Sequence, residues 1–139
     1  IFPNSKIGNI SRYGEAGQDV HGKTAGTVMT VAFELDGQAF TALNGGPIFQ
    51  FNEAVSLQVD CESQEEVDYY WQKLSEGGDE TAQQCGWLKD KYGVSWQIVP
   101  RVLIEILDDA DESKSQRAMT AMLKMKKIDI DELKRATVA

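Results

Sequence analysis

The amino-acid sequence predicts an α+β fold, with strands in the first part of the chain and helices at its end. Residues 27–35 alternate between apolar and other side chains with a period of two, which is typical of a half-buried strand. Residues 63–66 read Ser-Gln-Glu-Glu, a capping box that predicts the start of a helix. After Pro100 the apolar residues recur at helical spacing, so we expect the rest of the chain to be helical.

The composition favours one domain and excludes two classes of partner. A length of 139 residues with 42% hydrophobic residues allows a buried core without disulfide or metal staples. The formal charge of −8 argues against nucleic acid, because affinity for phosphates comes mainly from clustered Lys and Arg. No apolar run reaches roughly eighteen residues and the N-terminus is too polar for a signal peptide, so we expect a cytoplasmic protein that does not bind membranes.

Three strands are expected in the N-terminal third of the chain. The first is a short strand over residues 5–13, and the strand over 27–35 returns as a strand over 38–44. Asp36 and Gly37 separate the last two strands, and both residues tolerate the positive φ of a tight turn. The sequence therefore predicts a β-hairpin at this point.

The middle of the chain predicts a strand, a helix and a strand pair. Over residues 53–61 one face of the strand is apolar, and we expect it to face the core: Val55, Leu57, Val59 and Cys61. The helix that starts at Ser63 has an apolar stripe at i, i+3, i+4 and i+7, formed by Val67, Tyr70, Trp71 and Leu74. Strands are then expected over 83–89 and 94–99, with Trp96 in the core between sheet and helices.

The helical end divides into three predicted helices. They are expected over residues 102–107, over 112–125, and from Asp129, which has Glu132 three residues later as in a capped helix. Ile128 and Leu133 fit the hydrophobic staple that accompanies such a cap. The spacing of Met119, Met122 and Met125 predicts a buried face or a dimer contact.

Four strings of residues carry a resemblance to a known family. They are FTALNGGP at 40–47, EVDYYW at 66–71, CGWLKDKYGVSWQ at 85–97 and AMLKMKKID at 121–129. With the predicted order of strands and helix, the chain resembles the PhnB-like branch of the vicinal oxygen chelate (glyoxalase, bleomycin-resistance and dioxygenase) superfamily. Members of this branch often carry the label 3-demethylubiquinone-9 3-methyltransferase.

The resemblance implies a glyoxalase-like fold of paired βαβββ modules that form a cupped mixed sheet. Residues 1–47 would be a first module that lacks its opening strand and helix, and residues 53–100 the second module. Residues 101–139 would be a helical extension of the same single domain. The superfamily pairs modules within or between chains, so the resemblance also implies a homodimer.

The resemblance further implies where metal ligands would lie in members that use a metal. The usual histidine falls at Ala54 and the usual glutamate at Gln97, while the end of the earlier hairpin strand offers Asn44 beside Leu43. A remaining ligand would precede Ile1. Since these side chains are poor metal ligands, we expect neither a metal nor another cofactor.

Alternation along the strands predicts a polar and aromatic pocket for a small organic ligand. Its candidate residues are Asn44, Ser56, Gln58, Cys85, Trp87, Ser95 and Gln97. The alternative is that these side chains only fill a closed barrel. Cys85 has weak support as a nucleophile, and His21, in a Gly-rich loop over residues 14–26, is expected to be solvated rather than a general base.

Three functions follow from the sequence as hypotheses. The first is a metal-independent small-molecule-binding protein, and the second is an enzyme of the lyase, isomerase or dioxygenase type. The methyltransferase label has little support, because the Gly-rich turn of a typical S-adenosylmethionine site is absent. The third is a structural homodimer without a ligand.

Overall fold

A computed structural model of the chain describes residues 1–138. It has an α+β fold with two small open sheets and C-terminal helices, which confirms the predicted fold class. The chain divides into two compact units, Ile1–Gln50 and a second unit that begins at Phe51. Over the described residues, every helix is too short or too polar to cross a membrane.

The first unit is built on an antiparallel sheet of three strands in the order β1-β2-β3. The strands are β1 (Lys6–Arg12), β2 (Val28–Leu35) and β3 (Gln38–Leu43), and a short helix, α1 (Gln18–His21), follows β1. The turn between β2 and β3 has φ of 48° at Asp36 and 75° at Gly37. This is the tight turn that the sequence predicts, so the expected hairpin is confirmed.

The second unit starts with a mixed sheet in the order β4-β6-β5. Its strands are β4 (Ser56–Cys61), β5 (Trp87–Lys89) and β6 (Ser95–Pro100). Helix α2 (Gln64–Ser75) lies between β4 and β5 along the chain. β4 and β6 are parallel, whereas β5 and β6 are antiparallel. A parallel pair needs a long crossover connection, and α2 provides it.

Two predicted strands are shorter in the structure than in the sequence analysis. The strand predicted from residue 53 begins at Ser56, and Val55, which was assigned to the core face, is 74% exposed. The strand predicted from residue 83 begins at Trp87. A 3₁₀ helix, Glu80–Ala82, and a tight turn at Cys85 and Gly86, with φ of 52° and 84°, occupy the residues before it.

The turn before β5 is held by a distant part of the chain. The N–H of Cys85 donates to the carbonyl of Met125 and the N–H of Gly86 donates to that of Lys126, each at 2.8 Å. These backbone donors are therefore satisfied outside the sheet, which is why β5 cannot extend back to residue 83.

One face of the second sheet and α2 enclose the core of the unit. The buried side chains of the sheet are Val59, Cys61, Leu88, Trp96 and Ile98, and those of α2 are Val67 and Leu74. The position of Trp96 in this core confirms its prediction. The Ser63 half of the capping box forms, since Ser63 Oγ accepts from the N–H of Glu66 at 3.3 Å. The Glu66 carboxylate reaches one residue further back and accepts from the N–H of Glu62.

Three helices close the second unit, as the sequence predicts. They are α3 (Arg101–Leu107), α4 (Glu112–Met122) and α5 (Ile130–Val138), so α4 ends three residues earlier than expected. Asp129 caps α5 by accepting from the N–H of Glu132 at 2.8 Å. A second buried cluster holds the helices together and contains Leu103, Ile106, Ala118, Met125, Ile128 and Leu133.

Candidate functional site

The face of the second sheet opposite its core carries most of the predicted pocket residues. Strand partners in register point to the same side of a sheet. One row across β4, β6 and β5 therefore contains Ser56, Ser95 and Lys89. The next row contains Gln58, Gln97 and Trp87. We call these six residues the polar face.

Hydrogen bonds order the side chains of the polar face. Gln97 Nε2 donates to Ser56 Oγ at 2.9 Å, which links the two rows across β4 and β6. Gln58 Nε2 donates to Asp60 Oδ1 at 2.7 Å on the outer strand. Since Trp87 is half-buried beside Gln97, the face presents amides, hydroxyls and an aromatic ring together. Such a set orients small organic molecules.

Ser95 is the unusual member of the polar face. Ser95 is only 2% exposed, and its Oγ has no hydrogen-bond partner among residues 1–138. A buried hydroxyl without a partner costs about 1–3 kcal/mol, so such groups are uncommon in folded proteins and often mark functional positions.

Lys89 forms an ion pair at one end of this face. Its Nζ contacts the carboxylate of Glu53, which lies three residues before β4. The hydrogen bond from Lys89 lowers the pKa of Glu53, and the same bond raises the pKa of Lys89. Both groups are therefore charged at neutral pH. No pattern in the sequence predicts this pair, although Lys89 lies two residues after Trp87 and therefore on the same face of β5.

Two predicted pocket residues do not belong to the strands that form this face. Cys85 was assigned to the strand face of Trp87, but it lies in the turn before β5, so strand alternation does not apply to it. Asn44 belongs to the first unit, where its Nδ2 donates to the carbonyl of Val28 at 2.9 Å and its carbonyl accepts from the Tyr13 hydroxyl at 2.7 Å. Asn44 thus stabilises the end of β3.

The other reactive side chains have structural surroundings. His21 Nδ1 accepts from the N–H of Lys23 at 2.9 Å, and its ring lies 4.6 Å from that of Tyr13. Cys61 is fully buried, and burial raises the pKa of its thiol to about 12. A thiol in this environment is a poor nucleophile, because the thiolate is the reactive form.

The positions implied for metal ligands do not fit a divalent metal. Ala54 has no ligating side chain, and Gln97 offers a neutral amide oxygen where metal-using members have a carboxylate. Among residues 1–138, no group of three or more His, Cys, Asp or Glu side chains is arranged to hold a metal ion.

A groove of about 520 Å³ lies between α4 and α5, away from the polar face. Arg117 lines it, but its guanidinium donates to the carbonyls of Ala136 and Thr137 at 3.2 and 2.9 Å. These bonds satisfy carbonyls at the end of α5. Arg117 thus has a structural role in this groove.

Comparison with known proteins shows the class of fold and then the family. Residues 1–99 match the family model described as 3-demethylubiquinone-9 3-methyltransferase. The chain is 38% identical to the PhnB protein of Bacillus cereus, with a TM-score of 0.57, over 71% of this chain and 81% of that one. The fold is thus of the glyoxalase-like α+β class. The chain belongs to the PhnB-like 3-demethylubiquinone-9 3-methyltransferase family.

A second solved structure, a protein from Staphylococcus aureus, is 25% identical over 70% of this chain and 75% of that one. Its TM-score of 0.29 is too low to support a structural argument. No curated protein matches the chain.

Proposed function

We propose that this chain is a metal-independent small-molecule-binding protein of the vicinal oxygen chelate superfamily, with its ligand on the polar face of the second sheet. The observation that carries the proposal is the unpaired, buried hydroxyl of Ser95. It lies in register with Ser56 and Lys89, and one row from Gln97 and Trp87. A ligand that bonds to this hydroxyl, once the side chains over it move aside, would offset the cost of burying it.

The donor set of the polar face supports binding without a metal. Its hydrogen-bonding groups are hydroxyls, amides and one ammonium, whereas divalent ions in proteins are held mainly by carboxylate, imidazole or thiolate ligands. Two carboxylates lie beside the face, and both are engaged: Glu53 pairs with Lys89, and Asp60 accepts from Gln58.

Binding also fits the architecture better than the methyl transfer in the family's name. A typical S-adenosylmethionine site lies at the carboxyl ends of a doubly wound parallel sheet. Here the second sheet has one parallel pair, β4 and β6, and the first sheet is antiparallel. We therefore favour capture of an organic molecule over group transfer.

The test is a fragment screen by NMR on ¹⁵N-labelled protein in the presence of EDTA. We expect ligands to shift the side-chain amides of Gln58 and Gln97 and the indole N–H of Trp87. Trp96, on the core face, is the internal control and should shift little. Substitution of Gln97 by Ala should weaken binding, whereas Gln72→Ala on the exposed side of α2 should not. Ligands that bind only after metal is added, or only elsewhere, would contradict the proposal.

A homodimer is part of this proposal. Large apolar side chains of the first unit are exposed, among them Ile7 at 75%, Leu43 at 67% and Phe49 at 92%. Exposed apolar side chains of this size are typical of contact surfaces between subunits. Sedimentation velocity at micromolar concentration should therefore give the mass of two chains, and a monomer would exclude this part.

The two free thiols, Cys61 and Cys85, support a reducing, cytoplasmic setting.

A further inference from the structure

The row at the start of β6 combines a cation with an unsatisfied hydroxyl. Lys89 and Ser95 are partners in register across β5 and β6, so both side chains leave the same face of the sheet. Ser95 Oγ has no partner, and the Lys89 side chain is 23% exposed. An ammonium and a hydroxyl are both donors, and the acceptor that suits two such donors is an anionic oxygen pair.

Glu53 already supplies one carboxylate to this row. It precedes β4 by three residues, and β6 lies between β4 and β5 in the sheet. An ion pair from Glu53 to Lys89 therefore crosses the start of β6, where Ser95 lies. The Glu53 side chain is 63% exposed, so it is the outer member of the pair and the one that an incoming anion can replace.

We propose that Lys89 and Ser95 form a subsite for a carboxylate group of the ligand, and that Glu53 occupies Lys89 when no ligand is bound. The ligand carboxylate would accept from the ammonium of Lys89 and, once the side chains over the buried hydroxyl move aside, from Ser95. This inference rests on the proposed function and names the class of ligand for the same face.

The neighbouring row indicates what the carboxylate is attached to. Trp87 lies two residues from Lys89 on β5, about 7 Å along the strand, and on the same face. A planar ring bonded to the carboxylate spans this distance and can pack against the half-buried indole. Gln97, in register with Trp87, adds an amide at the same level. The preferred ligands are therefore small aromatic or conjugated carboxylates.

The experiment compares benzoate with benzamide, its uncharged analogue, by calorimetric titration and NMR at neutral pH. We expect benzoate to bind about tenfold more tightly, as a charge-assisted hydrogen bond allows. Lys89→Gln should remove this preference. Lys91→Gln removes the same charge from an exposed loop residue and should keep the preference. Glu53→Gln should strengthen benzoate binding about two- to fivefold, because it removes the internal competitor.

The outcomes separate this inference from the proposed function. Equal affinity for benzoate and benzamide, with shifts at Trp87 and Gln97, would overturn the carboxylate subsite and leave the proposed function standing. Absence of benzoate binding at millimolar concentration would overturn the carboxylate subsite, while the fragment screen alone decides the proposed function. Unchanged benzoate affinity in Glu53→Gln would overturn the role of Glu53 as a competitor. Because Glu53 is exposed, this variant also tests the idea if Lys89→Gln does not fold.

Discussion

The side-chain oxygen of Gln64 accepts a hydrogen bond from the backbone N–H of Ile130 at 2.8 Å, which joins the first residue of α2 to the first residue of α5. The same amide donates from Nε2 to the carbonyl of Ile128 at 3.1 Å. Gln64 thus satisfies two backbone groups of the segment that leads into α5. The first-turn N–H groups of a helix have no partner within the helix, so a side chain from elsewhere can cap them. This bond connects α2 to the C-terminal helices.

Replacement of Gln64 by Ala should lower the free energy of unfolding by about 1–3 kcal/mol, because it leaves two partly buried backbone groups without partners. Urea unfolding followed by circular dichroism measures the change. Gln72→Ala, on the exposed part of the same helix, is the matched control and should change the free energy by less than about 0.5 kcal/mol. Equal effects of the two variants would show that the contact contributes nothing.

Local sequence signals predict the parts of the fold whose causes are local. The Asp36-Gly37 turn needs positive φ at two successive residues, and the capping box at Ser63 needs only the neighbouring side chains. The alternation along β6 likewise assigned Trp96 to the core, because a strand has two faces and only one is apolar.

The features that the sequence did not predict depend on distant residues. β5 begins only at Trp87 because the turn at Cys85 and Gly86 is held by the carbonyls of Met125 and Lys126, forty residues later. The pair of Glu53 and Lys89 likewise joins residues 36 positions apart. The spacing of apolar residues along the chain does not predict such contacts. The candidate site was therefore predicted as a strand face, without the ion pair beside it.

Gly78 lies against the backbone of β5, and no larger residue fits there. A Cβ on Gly78 would stand 2.0 Å from the carbonyl oxygen of Lys89. Gly78→Ala should therefore lower the free energy of unfolding by about 3 kcal/mol, since relief of the clash requires movement of the strand. Thermal and urea unfolding measure the change. It should also weaken benzoate binding, because the strand that moves carries Lys89 and Trp87.

Gly14→Ala is the matched control, because a Cβ there meets no atom within 4 Å. It should leave the stability within about 0.5 kcal/mol of the native protein. A mild effect of Gly78→Ala, no larger than that of Gly14→Ala, would show that β5 adjusts without cost.

The burial of Cys61 predicts a loss of stability at alkaline pH. Burial raises the pKa of this thiol from 9.0 to about 12. A group whose pKa is higher in the folded state stabilises that state fully below the unfolded pKa, and the contribution disappears as the pH rises. Urea unfolding between pH 7 and pH 11 should therefore show a decline that begins above about pH 9.

Other groups also titrate in this range, so the contribution of Cys61 needs a difference measurement. Cys61→Ala removes the thiol and keeps Cys85, and its stability should fall less steeply above about pH 9. Parallel curves for the two proteins would mean that Cys61 ionises with a similar pKa in both states.

The unpaired hydroxyl of Ser95 predicts opposite effects of one substitution on stability and on binding. Ser95→Ala removes a buried polar atom that has no partner, so it should raise the free energy of unfolding by about 1 kcal/mol. Ser56→Ala is the matched control: it removes the acceptor of Gln97 Nε2 and should lower stability by about 1 kcal/mol. Urea unfolding of both variants measures the contrast, and calorimetry measures benzoate affinity, which Ser95→Ala should weaken. Higher stability together with weaker benzoate binding is expected if the hydroxyl is retained for binding at a cost in stability. Lower stability in Ser95→Ala, with benzoate affinity unchanged, would instead assign the hydroxyl a purely structural role.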